Sequence, residues 1–507
     1  MRSEHADFHL GLGARHSLVN QGRIYVCTTH DFHIPVNMDP GYLPRFPIVP
    51  ANPGPESMFP KAADIRAILR ISLPLVFGYL GKMAIGFTDN VMVGHLGSEA
   101  LGAMGLASAV CAVFLIIGTG LLFPVMVLVS QARGAGRALT IPGIIRQGIW
   151  ISGALSIPAC IVLWNLDDIL VLAGQKAMLV GMAGHYMDYY LWTIFPAFSS
   201  LVFILALTAM GRTEIVLLIA WFELGFNIIL NYLFIFGKFG FPAMGVAGAG
   251  LASVIIHGIG CTIFFVFFDF HKLFRRLPVF RRAWRPRWTV IGRILKLGWP
   301  KGLEMIINKS LFSVATLLAG WLGVQVVAAH TIAFQTSLIV LFIVSIPLAD
   351  AVTARIGIVA GRESRAGMWR ILVSALLLFL LFILPAVAIL AGFPEWIVAL
   401  FIGFETPNID DLVAVTSPLI VLMALFVIAD GLRIVTDRAL NGLADMKVPA
   451  LIAALSHWGV GFSLGVIFGF VMDGGIVGLW LGLTIGMFVA SALYLARFGW
   501  LIRKIGI

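Results

Sequence analysis

Apolar residues arrive in unbroken runs, such as MWRILVSALLLFLLFILPAVAILAG from Met368, and the chain has room for about a dozen of them. The hydrocarbon core of a bilayer takes about 20 apolar residues per helix. Inside it every peptide group must be satisfied by the protein itself, which leaves helices or a closed barrel. A barrel would show ten-residue segments of alternating polarity, and the runs here do not alternate. Charge agrees: 12% of the 507 residues are charged and 60% are hydrophobic, against about 25% charged in a soluble domain. A soluble globular protein, a disordered chain and a disulfide-stapled module are thereby excluded. The four cysteines, Cys27, Cys111, Cys160 and Cys261, form no CxxC pair, so they read as packing residues rather than as a disulfide framework or metal cluster.

The expected fold is an all-α polytopic membrane protein with twelve transmembrane helices in two pseudo-symmetric six-helix bundles. The spans fall near 68–93, 102–129, 143–165, 189–210, 214–236, 245–269, 295–320, 326–350, 370–392, 414–438, 448–471 and 475–498. Prolines inside them are compatible with helix, because neighbouring helices can satisfy the freed backbone groups. Two six-span bundles follow from repetition. SLPLVFGYL around Pro74 pairs with GWPKGLEMI around Pro300, VGHLG ending at Gly97 with AGWLG ending at Gly323, and the span ending at Arg137 with that ending at Arg362. Each pair lies about 225 residues apart. Six spans per half give both halves one orientation, the parallel-repeat arrangement of transporters. The expected domains are an N-terminal bundle at 61–270, a basic linker at 271–289 and a C-terminal bundle at 290–507.

Residues 1–60 differ, with eight prolines between Pro35 and Pro60 and five histidines between His5 and His33 in no ligand spacing. They read as a disordered cytoplasmic tail. A start at Met58, directly before FPKAADIRAILRISLPL, fits as well. One set of loops carries Arg133, Arg137, Arg212, Arg355, Arg362, Arg365, Lys447, Arg503 and Lys504, and with them the connector HKLFRRLPVFRRAWRPRW from His271. The other set carries Glu99, Asp167, Asp168, Glu405, Asp410, Asp411 and Asp473. Basic loops stay in the cytoplasm, which places both termini and the connector there. It also accounts for the net charge of +10 without nucleic acid as a partner.

A charged residue at a helix centre costs roughly 2.5–3.5 kcal/mol on insertion scales, so the few inside the spans are candidates for function. Asp89 lies in GFTDNVMVGHLG of the first span, and Lys82 lies two turns earlier on the same face. Either Asp89 is a titrating or cation-binding carboxylate, or the two form a structural pair. In the tenth span Asp430, Arg433 and Asp437 make a stripe at i, i+3 and i+7, open to readings as a site or as an ion-pair ladder. The seventh span carries Lys301, Glu304 and Asn308 with Lys309 beside them, and the fifth carries Glu223, Asn227 and Asn231. Asparagines in such stripes also serve as helix–helix glue. His257 and Asp350 lie within or at the end of spans. HExxH, Walker A and GxSxG motifs are all missing, which speaks against an enzyme. The GxxxG pairs Gly298–Gly302 and Gly478–Gly482 read as close packing within the chain.

Four separated segments, GFTDNVMVGHLGSEALGAMGLAS, ILNYLFIFGKFGFPAMGVAGAGLAS, LKLGWPKGLEMI and ADGLRIVTDRALNGLADMKVP, resemble the multidrug and toxic compound extrusion (MATE) family, NorM branch, over roughly residues 65–500. The resemblance implies a secondary active antiporter, not an enzyme, of a bacterial inner membrane. It would export amphipathic or cationic compounds in exchange for inward H⁺ or Na⁺. Its partners would be small-molecule drugs and the bilayer, with no obligate protein partner and no cofactor beyond the coupling ion. The family's first-span acid falls on Asp89, its tenth-span acid on Asp430 and its fifth-span asparagine region on Asn227 and Asn231. Asp89 and Asp430 would hold Na⁺ if sodium is the coupling ion. The seventh-span glutamate falls on Asn308, with Glu304 one turn earlier and Lys309 adjacent, which departs from the family and puts Na⁺ coupling through the C-terminal half in doubt. Met83, Phe87, Met305 and Phe312 are expected as adaptable drug-facing walls or as plain packing. A lipid-linked saccharide flippase of the wider superfamily is the alternative, resting on Lys82, Arg433 and Lys309 as cationic cavity residues.

Overall fold

The computed structural model describes residues 18–20, 23–25, 59–270, 279–280, 284–403 and 409–504. Among them are twelve helices long and apolar enough to cross a membrane. In chain order they are α1 Ala62–Gly94, α2 Ser98–Gly134, α3 Ala138–Trp164, α4 Ala177–Ala209, α5 Thr213–Phe236, α6 Val246–Phe270, α7 Trp288–Leu322, α8 Val324–Ala360, α9 Arg365–Gly392, α10 Val413–Gly442, α11 Lys447–Val471 and α12 Gly475–Lys504. Helices α1–α6 form one lobe and α7–α12 the other. The expected limits at 68, 129 and 295 fall inside helices that run on to Ala62, Gly134 and Trp288. Hydropathy marks the apolar segment, whereas a helix ends where its backbone hydrogen bonds end. At α4 the difference reaches twelve residues, since the helix begins at Ala177 through the polar stretch HYMDYY and a short 3-10 turn, Leu191–Thr193.

The internal repeat is visible in the backbone. The turn from α1 to α2 passes through Gly97 at φ 119°, and that from α7 to α8 through Gly323 at φ 128°. Only glycine adopts such angles without cost, so one residue serves the same bend in both halves. Prolines accompany two other irregularities. Phe123–Pro124 interrupts α2. A π-helical turn, Leu341–Ser345, precedes Pro347 in α8. Helix α11 is π-helical over Ala454–Phe462 and again over Ile467–Val471. It packs on α12 backbone to backbone: a Cβ on Gly482 would overlap Gly465, and one on Gly486 would overlap Gly461. Small residues four apart allow this approach in membrane helices.

The first 55 residues form a separate unit. In it Leu18–Asn20 pairs antiparallel with Arg23–Tyr25, Leu18 opposite Tyr25. The expectation of a disordered tail over 1–60 otherwise lies outside the described residues. Much of the 271–289 connector does too, and Trp288 already belongs to α7. The part described is docked on the N-terminal lobe. Phe280 stacks on Phe265 of α6 at 3.7 Å between centroids, and Trp284 stacks on Phe280. Gln147 of α3 accepts from the Arg287 amide at 3.0 Å and donates to the Arg285 carbonyl at 3.3 Å.

Candidate functional site

The candidate residues gather into two clusters, one per lobe. In the N-terminal lobe α1 and α5 lie side by side, with Gly81 against Ala220. This places Asp89 opposite the polar stripe of α5. Asn227 and Asn231 both donate to Asp89 Oδ1, at 3.0 and 2.6 Å, and Asn231 also donates to Asn227 Oδ1 at 3.2 Å. Both asparagines are fully buried, whereas Asp89 is half-buried. Lys82 turns to Glu223 instead of Asp89, with Nζ 2.5 Å from Oε2. The structural Asp89–Lys82 pair weighed from sequence is therefore not formed: α5 supplies each residue with a different partner. Glu223 is buried, and its other oxygen lies against Gly260 of α6, where a Cβ would overlap it.

The C-terminal cluster joins α7 and α10. Lys301 donates to Glu304 Oε1 and Oε2, at 3.0 and 2.9 Å, and to Asp437 Oδ2 at 2.5 Å. Asn441 also donates to Asp437 Oδ2 at 3.1 Å. Arg433 donates to Asp430 Oδ1 at 2.6 Å. Lys301, Glu304, Asp430, Arg433 and Asp437 are all buried. Asn308 remains half-buried on the same helix, and its Oδ1 makes no hydrogen bond. Lys309 is exposed, with its ammonium 5.9 Å from the Phe334 ring. Phe312 lies among aromatics, 5.0 Å from Phe334 and 5.8 Å from Phe426 between centroids. Phe87, by contrast, is 71% exposed.

The lobes meet through residues that no pattern within a single helix picks out. The contacts cluster from mid-depth to the side that carries the start of α1 and the end of α12. There Asp64 of α1 pairs with Arg370 of α9 and with Arg355 of α8 at 3.7 Å. Tyr79 of α1 donates to Asp350 Oδ2 of α8 at 2.6 Å, and Arg438 of α10 meets Asp350 Oδ1 at 3.1 Å. Gln131 of α2 donates to the Gly442 carbonyl of α10 at 3.0 Å. Gly120 of α2 lies against Gly302 of α7, and Gly298 against Leu121. Phe123, buried at the break in α2, presents its ring to two cations of the other lobe: Arg438 at 4.3 Å and Lys301 at 5.9 Å from the centroid. Periodicity along one helix carries no signal for these pairings, since their partners lie hundreds of residues apart. The Phe–Pro interruption was the available hint.

Comparison with known proteins agrees with this architecture. The MatE family profile matches residues 74–233 and again 300–467, one match in each lobe. The chain is 33% identical over 440 residues to a probable multidrug resistance protein NorM of Rhizobium meliloti, covering 87% of this chain and 94% of that one. It is 33% identical over 451 residues to the corresponding NorM of Mesorhizobium japonicum, covering 89% and 96%. A crystal structure of a MATE protein in a bent conformation superposes with a TM-score of 0.78 at 21% identity, covering 87% of this chain and 96% of that one. With a family match in each lobe and relatives aligned over nearly their full length, the chain belongs to the MatE family of multipass membrane transporters.

Proposed function

We propose that this protein is a secondary active antiporter. It exports amphipathic or cationic compounds in exchange for inward H⁺ or Na⁺, and Asp89 is the coupling carboxylate. The observation that carries this reading is the setting of Asp89, an intramembrane acid held by two neutral amides rather than by a cation. Amide donors steady a carboxylate without neutralising it. Binding a proton or Na⁺ at Asp89 therefore changes the local charge by one unit, and no ion pair has to break. That is the property needed of a group that loads on one side of a membrane and unloads on the other. The names of the relatives support the cargo class, because those proteins are described as multidrug resistance proteins. Asn227 and Asn231 position Asp89. Asp430 and Glu304 act less directly, since Arg433 and Lys301 already neutralise them.

Contacts between the lobes run from mid-depth to the side that carries the start of α1 and the end of α12. By the positive-inside rule this is the cytoplasmic side of a bacterial plasma membrane. A transporter closed there opens its cleft outward, and breaking the Asp64, Tyr79 and Gln131 contacts is the step that would admit cargo from within. The flippase alternative keeps Lys309 alone as its cationic residue, since Lys82 pairs with Glu223 and Arg433 with Asp430.

The test is ethidium uptake into everted vesicles, where export runs inward, under a proton gradient and a Na⁺ gradient separately, for wild type and Asp89→Asn. Export by the wild type under one gradient, lost in the variant at equal membrane abundance, is the expected result. Equal export by both proteins would remove Asp89 from the coupling path.

A further inference from the structure

The C-terminal cluster has the composition of a cation site. Glu304 contributes two carboxylate oxygens and Asp437 a third, all converging within 2.5–3.0 Å of one point. Asp437 Oδ1 and Asn441 Oδ1 are buried beside them with no hydrogen-bond partner. An all-oxygen set with two negative charges suits a hard cation. The point itself is held by the chain's own ammonium, Lys301 Nζ. An ammonium has three N–H donors and no acceptor, and here the three find three carboxylate oxygens. Lys301 is 2% exposed, and the Phe123 ring of the opposite lobe lies 5.9 Å from its nitrogen.

We propose that Lys301 is a resident counter-cation. Its ammonium fills the cation position between Glu304 and Asp437, so the C-terminal lobe takes no external coupling ion and ion coupling runs through the N-terminal lobe alone. A tethered group competes at an effective concentration in the millimolar range or above. It is always present, and displacing it would leave a buried unpaired charge. The second buried cation, Arg433, completes the arrangement by occupying Asp430. The five ionised side chains of the cluster sum to one negative charge, three acids against two bases. Removing the lysine would leave an excess of two negative charges and the oxygen set empty. The assignment rests on the antiport reading only where it speaks of coupling; the occupancy of the position rests on the geometry.

The experiment is equilibrium binding of radiolabelled ²²Na⁺ to purified full-length protein, comparing Lys301→Gln, Lys301→Arg and Lys301→Gln/Glu304→Gln, each also carrying Asp89→Asn. Asp89→Asn alone is expected to bind no saturable Na⁺ and to release no proton when ethidium is added. Adding Lys301→Gln should create one saturable Na⁺ site that the parent lacks. Lys301→Arg should not create it, and Glu304→Gln should abolish it. A monodisperse Lys301→Gln variant with no gain overturns the proposal. Should that variant fail to fold, Asp89→Asn alone decides: a remaining equivalent of saturable Na⁺ binding or ethidium-driven proton release overturns the proposal, and loss of both supports it. These outcomes are separate from the antiport reading. A gained Na⁺ site in a protein whose wild type moves no ethidium would sink antiport and leave the role of Lys301 standing.

Discussion

Asp89 in the N-terminal lobe is held by two amides, whereas Glu304, Asp430 and Asp437 in the C-terminal lobe each face an ammonium or a guanidinium. The lobes share a turn geometry and a family profile, yet the physical consequences of their acids differ. Loading an ion onto a carboxylate held by amides trades one charge state for another. Loading one onto a buried ion pair strands its partner, at a cost of about 3–5 kcal/mol. Homologous scaffolds can thus assign one half to ion exchange and the other to holding charge in place. The repeat differs at one matching position: 226 residues after Lys82, which pairs with Glu223, stands Asn308, whose Oδ1 makes no hydrogen bond.

Breaking the contrast at its centre should have the largest effect. Asp89→Asn is expected to lower ethidium transport at least tenfold in the vesicle assay, while the melting temperature in detergent stays close to that of wild type. Next is Lys301→Met, which strands two buried acids and should cost about 3–5 kcal/mol. The combination Lys301→Met/Glu304→Gln/Asp437→Asn should recover most of that loss. A triple variant no more stable than the single one would show that the lysine packs rather than neutralises. Asn231→Ala removes a hydrogen bond to a charged group, worth about 1.5–3 kcal/mol. It should shift the half-saturating concentration of the coupling ion roughly tenfold or more, and an unchanged half-saturation would detach α5 from Asp89. Gly260→Ala pushes a methyl against Glu223 and loosens the Lys82 pair. Its expected cost is about 1–3 kcal/mol, the usual range for overpacking, read as a fall in melting temperature. Arg497→Ala breaks a part-exposed pair with Asp445. It should cost no more than about 1 kcal/mol, which makes it the control.

Much of this molecule is legible in its sequence, for a definite reason. A bilayer allows few solutions, so a run of apolar residues specifies a spanning helix and the tally of runs specifies the number of spans. Glycines at 97 and 323 specify the matching turns, and the residues four apart on α5 specify that Asn227 and Asn231 share a face. Partner choice is not local in this way. Lys82 lies on the same helix face as Asp89, yet it pairs with Glu223 because α5 brings that acid within 2.5 Å. The stripe Asp430–Arg433–Asp437 looks like one ladder along one helix. The arrival of Lys301 from α7 splits it, giving Asp437 one cation and Asp430 another. Spans, repeat and the polar stripes were thus determined by the sequence alone, because backbone hydrogen bonding in hydrocarbon is satisfied within each helix. Which acid stays free of a cation was decided only by the packing of helices from distant parts of the chain, because side-chain charge is satisfied by whatever lies within a few ångströms.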